Sequence, residues 1–370
     1  MGELISGRAT PEGTAAYGQR MADRTAAGHF REHAGRWLSS LGLGTYLGED
    51  DDPTDDLYRA AVVRALELGV NVLDSAINYR SQRSERVIGQ ALRLAFERRL
   101  VRREEVLVAT KGGFLPFDGS RPRDPRRYVE ETYIRPGIFT WEEFAAGCHC
   151  MAPRYLADQL ERSRRNLGLA AIDVYHVHNP ETQLAEVSRE EFMRRIRAAF
   201  EVLEAACAEG KIGVYGTATW NGYRQPREAP DYLSLADLVG VAREVGGAGH
   251  HFRVLQFPYN LAMLEAFGLA NQRLDGREAP LLEAARAHGL YVMTSASILQ
   301  GRLARNLPAA LRDSLGGFDT DAQRAIQFVR STPGVGTALV GMKRVGHVEE
   351  NARIAQVPPV PEETLQALFR

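Results

Sequence analysis

The sequence predicts an α/β fold: a single closed (β/α)8 barrel with an N-terminal extension and a long loop insertion after the third strand. The first observation behind this prediction is that, from residue 41 onward, short apolar segments alternate with longer segments of helical periodicity. The second is their number, because eight strand-then-helix units joined by right-handed crossovers close such a barrel. With 370 residues, of which 44% are hydrophobic and 25% charged, the chain can bury a core of that size.

The first 40 residues lack clear periodicity, and we expect an irregular extension or a short hairpin that covers one end of the core. After them, strands are predicted at short apolar runs rich in β-branched residues, and helices where apolar residues recur every three or four positions. The predicted strands are residues 41–46, 71–76, 106–111, 172–178, 212–219, 252–257, 290–296 and 337–342. The predicted helices are residues 55–68, 84–98, 154–168, 189–209, 234–245, 280–288, 320–330 and 346–355, the first capped by Thr54 or Asp55.

Residues 112–153 interrupt this alternation with a segment rich in Pro, Arg, Gly and aromatic residues, longer than an ordinary connection between strand and helix. We expect it to act as a lid over an apolar pocket, because its aromatic residues are numerous for a solvated loop. These residues are Phe114, Phe117, Tyr128, Tyr133, Phe139 and Trp141. The alternative interpretation is that the segment is rigid and has no role in substrate binding, or that it forms a contact between subunits of an oligomer.

Composition excludes several classes of function. A net charge of -1 and a pI near 6.8 provide no field that would attract nucleic acid or an anionic membrane, so a small or neutral partner fits better. Three cysteines are too few for a disulfide framework, and no apolar run is long enough to cross a bilayer. We therefore expect a cytoplasmic monomer or small homo-oligomer. The stretch Cys148-His149-Cys150 has too few neighbouring ligands for zinc, and no metal is expected.

Three predicted strand ends carry chemically useful side chains. Asp74, Lys111 and His178 end the second, third and fourth strands, which are neighbours in a TIM barrel, and active sites of that fold lie at the C-terminal strand ends. A buried carboxylate is costly unless it is paired, and Lys111 is the best partner for Asp74. Tyr79 follows Asp74 by five positions. The sequence thus predicts that these four side chains converge.

These residues resemble the catalytic tetrad of the aldo-keto reductases, and the likeness extends over about residues 38–356. The other matching pieces are Glu85-Arg86-Val87-Ile88-Gly89, Asp173-Val174-Tyr175-His176-Val177-His178-Asn179-Pro180, Gly210-Lys211-Ile212, Gln256, Gly341-Met342-Lys343-Arg344 and Glu350-Asn351. The resemblance implies NADPH, or NADH, lying extended across the barrel mouth, and a small carbonyl or alcohol substrate. It assigns cofactor contacts to Gly44, Thr45, Tyr46, Asp74, Thr219, Gln256, Ser295, Leu299, Gly301, Gly341, Met342, Lys343, Arg344, His347, Glu350 and Asn351.

The chain departs from the family pattern at three of these positions. Ala218-Thr219 replaces the Ser-Asn pair that commonly holds the nicotinamide amide, and Ser295 stands where many members stack a tyrosine on the nicotinamide ring. His347 takes the place of an arginine that often binds the 2′-phosphate. Lys343 and Arg344 are expected to compensate, which predicts a modest preference for NADPH over NADH.

In the chemistry that the resemblance implies, Tyr79 donates a proton to the carbonyl oxygen and His178 orients that oxygen. Lys111, held by Asp74, is expected to lower the pKa of the Tyr79 phenol, because a nearby cation favours the phenolate. The alternative is a redox-sensing or regulatory barrel that binds NADPH and has little turnover.

Overall fold

The computed structural model describes residues 3–315 and 317–367 of the chain. Its strands are β1 (Phe30–His33), β2 (Arg36–Ser39), β3 (Leu41–Gly44), β4 (Val72–Asp74), β5 (Leu107–Gly112), β6 (Ile172–His178), β7 (Ile212–Ala218), β8 (Phe252–Pro258), β9 (Ala270–Leu274), β10 (Arg277–Pro280), β11 (Tyr291–Ser295) and β12 (Thr337–Gly341). The strands β3 to β8, β11 and β12 pair in parallel and close into a barrel in the order β11-β12-β3-β4-β5-β6-β7-β8. The predicted fold class is confirmed.

The described helices are α1 (Pro11–Arg20), α2 (Asp52–Glu67), α3 (Arg83–Glu97), α4 (Pro125–Val129), α5 (Pro153–Leu167), α6 (Arg189–Ala208), α7 (Leu235–Gly246), α8 (Glu265–Gly268), α9 (Leu281–Ala287), α10 (Ala309–Ser314), α11 (Asp321–Ser331), α12 (Val345–Ala352) and α13 (Glu362–Ala367). The helices that alternate with the barrel strands cover the outside of the barrel. Their apolar stripes pack on the outward faces of the strands, as in α3, where Val87, Ile88, Ala91, Leu92 and Ala95 are buried. None of the described helices is both long and apolar enough to cross a membrane.

The predicted start of α2 is wrong. The helix begins at Asp52 and is capped by Asp51, whose Oδ1 accepts the backbone N–H of Thr54 at 2.9 Å. Pro53 lies in the first turn, where its missing N–H is no loss. Thr54 and Asp55, the predicted caps, are therefore inside the helix.

The N-terminal extension is more regular than the expected irregular segment. Thr10 caps α1 by accepting the Gly13 N–H, and the buried Tyr17 hydroxyl donates to the Leu66 carbonyl oxygen at 2.6 Å. The hairpin formed by β1 and β2 places Leu38 in an apolar cluster with inward side chains of the barrel strands, among them Val72. The alternative expectation of a hairpin covering one end of the core is thus confirmed, together with a helix that the sequence did not predict. A second unpredicted hairpin, of β9 and β10, precedes α9.

Candidate active site

Two oppositely charged side chains meet at the ends of β4 and β5. The parallel register of these strands brings Asp74 and Lys111 to the same rim of the barrel. The Lys111 Nζ donates to Asp74 Oδ1 at 2.9 Å, to Asp74 Oδ2 at 2.8 Å and to the Ser75 carbonyl oxygen at 2.6 Å. Gln256 on β8 donates to Asp74 Oδ1 at 2.8 Å. The ion pair predicted from the strand ends is present, and both side chains are buried.

Tyr79 lies on the loop after β4, with its ring centroid 4.9 Å from the Lys111 Nζ. The hydrogen bonds of the Lys111 ammonium go to Asp74 and Ser75, and none joins Lys111 to the Tyr79 hydroxyl. Burial raises the pKa of the Tyr79 phenol well above its ordinary value, and the Asp74 carboxylate raises it further. The pKa of Tyr79 is therefore raised, not lowered as expected, because burial and the Asp74 charge outweigh the positive charge of Lys111.

His178 ends β6, and its ring lies edge-on to that of Tyr79, with centroids 5.8 Å apart. Burial lowers the pKa of His178 well below its ordinary value, and the charge of Lys111 lowers it further, so the imidazole is neutral at pH 7. Its Nδ1 is buried with no hydrogen-bond partner among the described residues. A neutral imidazole offers one N–H donor and one acceptor nitrogen. The structure thus brings the four predicted catalytic side chains together at one rim.

A cavity of about 1040 Å³ opens beside this cluster. The predicted site residues that line it are Gly44, Thr45, Tyr46, Asp74, Tyr79, His178, Thr219, Gln256, Ser295, Gly301, Gly341, Lys343, His347, Glu350 and Asn351. Lys111, Leu299, Met342 and Arg344 do not line it. Lys111 and Met342 are fully buried, whereas Arg344 is exposed. Most of the predicted contacts therefore share one cavity with the catalytic cluster.

The polar groups in this cavity fit a dinucleotide. The Thr219 Oγ1 and the Asn351 Oδ1 are buried and have no hydrogen-bond partner within residues 3–315 and 317–367, so each is available to an amide or an amino group. Lys343 and Arg305 line the cavity, and neither forms an ion pair with any described carboxylate. Unpaired cations of this kind suit phosphate groups. Arg305 is a candidate contact that the sequence did not identify, because it lies in a segment without helical or strand periodicity.

The segment after β11 is strained. Ala296, Leu299 and Gln300 have φ angles of 52°, 46° and 53°, in the left-handed region that non-glycine residues rarely adopt. Gly301 follows with φ 88°. Such strain costs of order 1–3 kcal/mol per residue and clusters at ligand-binding sites. The segment borders the cavity through Ala296, Gln300 and Gly301, which is the place predicted for cofactor contacts.

Three aromatic residues that line the cavity, Tyr58, Phe114 and Trp220, were not among the predicted contacts. Phe114 was predicted only as part of the lid, and its ring lies edge-on to His178 with centroids 4.9 Å apart. Trp220, the residue after Thr219, lines the cavity and is 41% exposed. Its position next to a predicted cofactor contact was the only signal in the sequence.

Most aromatic residues of the insertion do not cover the cavity. Of the six that were expected to pack over the pocket, only Phe114 is among the lining residues. Tyr133 and Phe139 are buried in a separate apolar cluster with Tyr155 of α5, and Trp141 is 40% exposed. The insertion thus has a small core of its own, built on α4, a π-helical turn and a 3-10 turn. A lid function for residues 112–153 stays a prediction.

Cys148, His149 and Cys150 do not form a metal site with other side chains. Among the described residues, no group of three or more His, Cys, Asp or Glu side chains is placed to hold a metal ion. His149 is instead hydrogen-bonded to the His178 carbonyl oxygen, at 2.7 Å from Nε2. 

Comparisons with known proteins agree with this site. The model of the aldo/keto reductase family matches residues 40–309. An uncharacterised oxidoreductase of Bacillus subtilis, YqkF, is 22% identical over 335 residues, which cover 90% of this chain and 92% of that protein. A holo aldo-keto reductase of Bacillus halodurans has a TM-score of 0.63 at 20% identity, covering 92% of this chain and 95% of that one. An aldo/keto reductase of Klebsiella pneumoniae in complex with NADP and acetate has a TM-score of 0.60 at 21% identity, covering 94% of each chain.

The structural neighbours share the closed parallel barrel, and the family match spans well over half of the 370 residues. It includes the strands that end in Asp74, Lys111 and His178. This chain therefore belongs to the aldo/keto reductase family of oxidoreductases.

Proposed function

We propose that this protein is an NAD(P)H-dependent carbonyl reductase in which Tyr79 protonates the carbonyl oxygen. One observation carries the proposal: Tyr79 and the neutral His178 face a single cavity that extends to the unpaired cations Lys343 and Arg305. A phenol beside a buried Lys-Asp pair at one end, and cations at the other, suit a reaction between a carbonyl and a phosphate-bearing cofactor.

Thr219 and Gln256 are placed to hold the nicotinamide amide, and Lys343 and Arg305 to bind phosphate groups. The bound nicotinamide supplies the hydride for the reaction. Because a histidine, and not an arginine with its fork of N–H donors, lines the cavity at position 347, we expect only a modest preference for NADPH over NADH.

The raised pKa of Tyr79 has a functional consequence. A phenol whose pKa lies well above 10 stays protonated at neutral pH, so the Tyr79 hydroxyl carries its proton when the carbonyl substrate binds. The neutral His178 donates an N–H to the same oxygen and fixes its direction. Lys111 lies within 4.9 Å of the Tyr79 ring centroid and stabilises the phenolate that remains after proton transfer.

The walls around Tyr79 favour an uncharged substrate. Tyr46 and Phe114 contact the catalytic rings, Tyr46 at 4.9 Å from Tyr79 and Phe114 at 4.9 Å from His178 between ring centroids. Among the described lining residues, the arginine and lysine side chains lie on the segments after β11 and β12. A flat, neutral aldehyde or ketone is therefore the expected substrate class.

The test is oxidation of NADPH, followed by loss of its absorbance, with 4-nitrobenzaldehyde as substrate. Tyr79→Phe should lower turnover by roughly 10²-fold or more and leave cofactor affinity unchanged, because only the proton donor is lost. Tyr128→Phe, which removes a phenol hydroxyl outside the cavity, is the matched control. Cofactor binding without turnover of any carbonyl in a broad panel would reject the proposal and favour a regulatory, redox-sensing barrel.

A further inference from the structure

The insertion is tied to the catalytic rim through its last residues. The Leu115 N–H donates to the Cys148 carbonyl oxygen at 2.7 Å, and the Cys150 N–H donates to the Gly113 carbonyl oxygen at 2.9 Å. These bonds hold the stretch from Cys148 to Cys150 against the segment that leaves β5. His149, between them, is fully buried and points toward β6 rather than into its own loop.

Hydrogen bonding determines which nitrogen of His149 carries the proton. The His178 carbonyl oxygen can only accept, so the His149 Nε2 at 2.7 Å must be the donor. The other nitrogen, Nδ1, then accepts from the Gln183 amide at 2.8 Å. Burial lowers the pKa of His149 to about 4, so the ring stays neutral and keeps this arrangement at physiological pH.

Arg195 on α6 determines the orientation of the Gln183 amide. Its guanidinium has only donors and is hydrogen-bonded to the Gln183 Oε1, which leaves the amide nitrogen to face His149. Arg195 is itself held by Glu191 at 2.8 Å and by the Glu142 carbonyl oxygen of the insertion at 3.2 Å. Only 16% of the Arg195 side chain is exposed, so these contacts are largely shielded from solvent.

The peptide group between His178 and Asn179, whose carbonyl oxygen accepts the His149 hydrogen bond, is followed by an unusual backbone conformation. Asn179 has φ 44°, in the left-handed region, and its N–H donates to the Ala218 carbonyl oxygen at 2.5 Å. The Phe114 ring lies edge-on to both imidazoles, with centroids 5.2 Å from His149 and 4.9 Å from His178. The backbone and the ring of His178 are thus each held by a contact that depends on His149.

We propose that His149 is a positioning residue, which orients His178 through its carbonyl group and through Phe114, with Gln183 and Arg195 holding His149 in the donor tautomer. The proposal rests on the proposed carbonyl reductase activity, in which His178 fixes the direction of the carbonyl oxygen. It assigns the insertion a role in the catalytic geometry in addition to any effect on substrate choice. His149 touches no substrate in this arrangement and acts through His178 alone.

The test compares His149→Leu, which removes the N–H donor, with His149→Gln, which keeps an amide donor at a similar distance. We expect His149→Leu to lower kcat about tenfold or more, because a small misplacement of a catalytic group is costly, and His149→Gln to recover most of that loss. The KM for NADPH should be unchanged in both variants. Equal kcat in His149→Leu and wild type would overturn the proposal, as would equal losses in the two variants.

A second pair of variants covers the case in which His149→Leu does not fold. Arg195→Gln should lower kcat several-fold by freeing the Gln183 amide. Arg194→Gln should not, because Glu191 is the one hydrogen-bond partner of the Arg194 side chain among the described residues. Equal kcat in Arg195→Gln and wild type would contradict the proposal.

The ¹⁵N resonances of the His178 ring provide a readout that does not depend on turnover. They should shift in His149→Leu and Arg195→Gln but not in Arg194→Gln, and unshifted resonances would refute the positioning role. Absence of carbonyl turnover in the wild type would instead count against the proposed function, and these shifts would still test the inference.

Discussion

Replacing Lys111 by Met tests the ion pair on which the catalytic rim depends. Lys111 and Asp74 are 0% and 4% exposed, and the substitution removes the charge while keeping a side chain of similar length. Among the side chains that the structure describes, the Gln256 amide would be the one hydrogen-bond donor left to Asp74. Removing one partner of a buried pair typically costs about 3–5 kcal/mol, because the other charge is left uncompensated. For a chain of this size, that loss corresponds to a fall in melting temperature of about 4–7 °C.

The same variant should affect catalysis. The carboxylate of Asp74 already raises the pKa of Tyr79, and without Lys111 its charge would act on the phenol uncompensated. Proton transfer from Tyr79 becomes harder, so we expect turnover to fall by about 10²-fold. The pH profile of reduction should move toward higher pH, since the phenol then loses its proton later.

A double variant separates stability from catalysis. Lys111→Met combined with Asp74→Asn carries neither charge, and we expect it to regain most of the free energy of unfolding without regaining turnover. Thermal melting and steady-state kinetics on both variants and the wild type give the comparison. The reasoning is refuted if the single variant melts at the wild-type temperature, or if the double variant is no more stable than the single one.

Three further predictions concern pH, the cofactor and the insertion. Because the pKa of Tyr79 is raised, the rate of carbonyl reduction should be constant from about pH 7 to 9. The rate of alcohol oxidation, which needs the phenolate, should rise over the same range. A reduction rate that declines between these pH values would contradict the prediction. Lys343→Ala should weaken NADPH binding by about 1.5–3 kcal/mol at most, and it should weaken NADH binding by a smaller amount. Arg344→Ala, which changes a residue outside the cavity, should weaken NADPH binding less than Lys343→Ala does. Fluorescence titration of both cofactors at fixed salt measures these affinities. Phe114→Ala should change the relative rates of small and bulky carbonyls, measured as kcat/KM, and Trp141→Ala should not.

Much of the barrel could be predicted from local pattern. The strand predicted at residues 172–178 matches β6 residue for residue, because Ile172, Val174, Tyr175 and Val177 are residue types that favour a strand and the run ends before Asn179-Pro180. The residues at the catalytic rim were also predictable, since parallel strands place their C-terminal ends on one rim and Asp74, Lys111 and His178 stand at such ends. The helix at Pro11–Arg20 was not predicted, because its buried residues are Gly13, Thr14 and Tyr17, which form only a weak apolar stripe.

By itself, then, the sequence determined the eight strand-then-helix units of the barrel and which side chains reach its rim, because periodicity and strand polarity are local properties. Only the tertiary structure decided the direction of the Tyr79 pKa, since that depends on how deeply the phenol is buried and on the Asp74 carboxylate beside it. Only the tertiary structure brought His149 to His178, 29 residues apart in the chain. Contacts between distant segments depend on three-dimensional packing, and local sequence patterns do not contain that information.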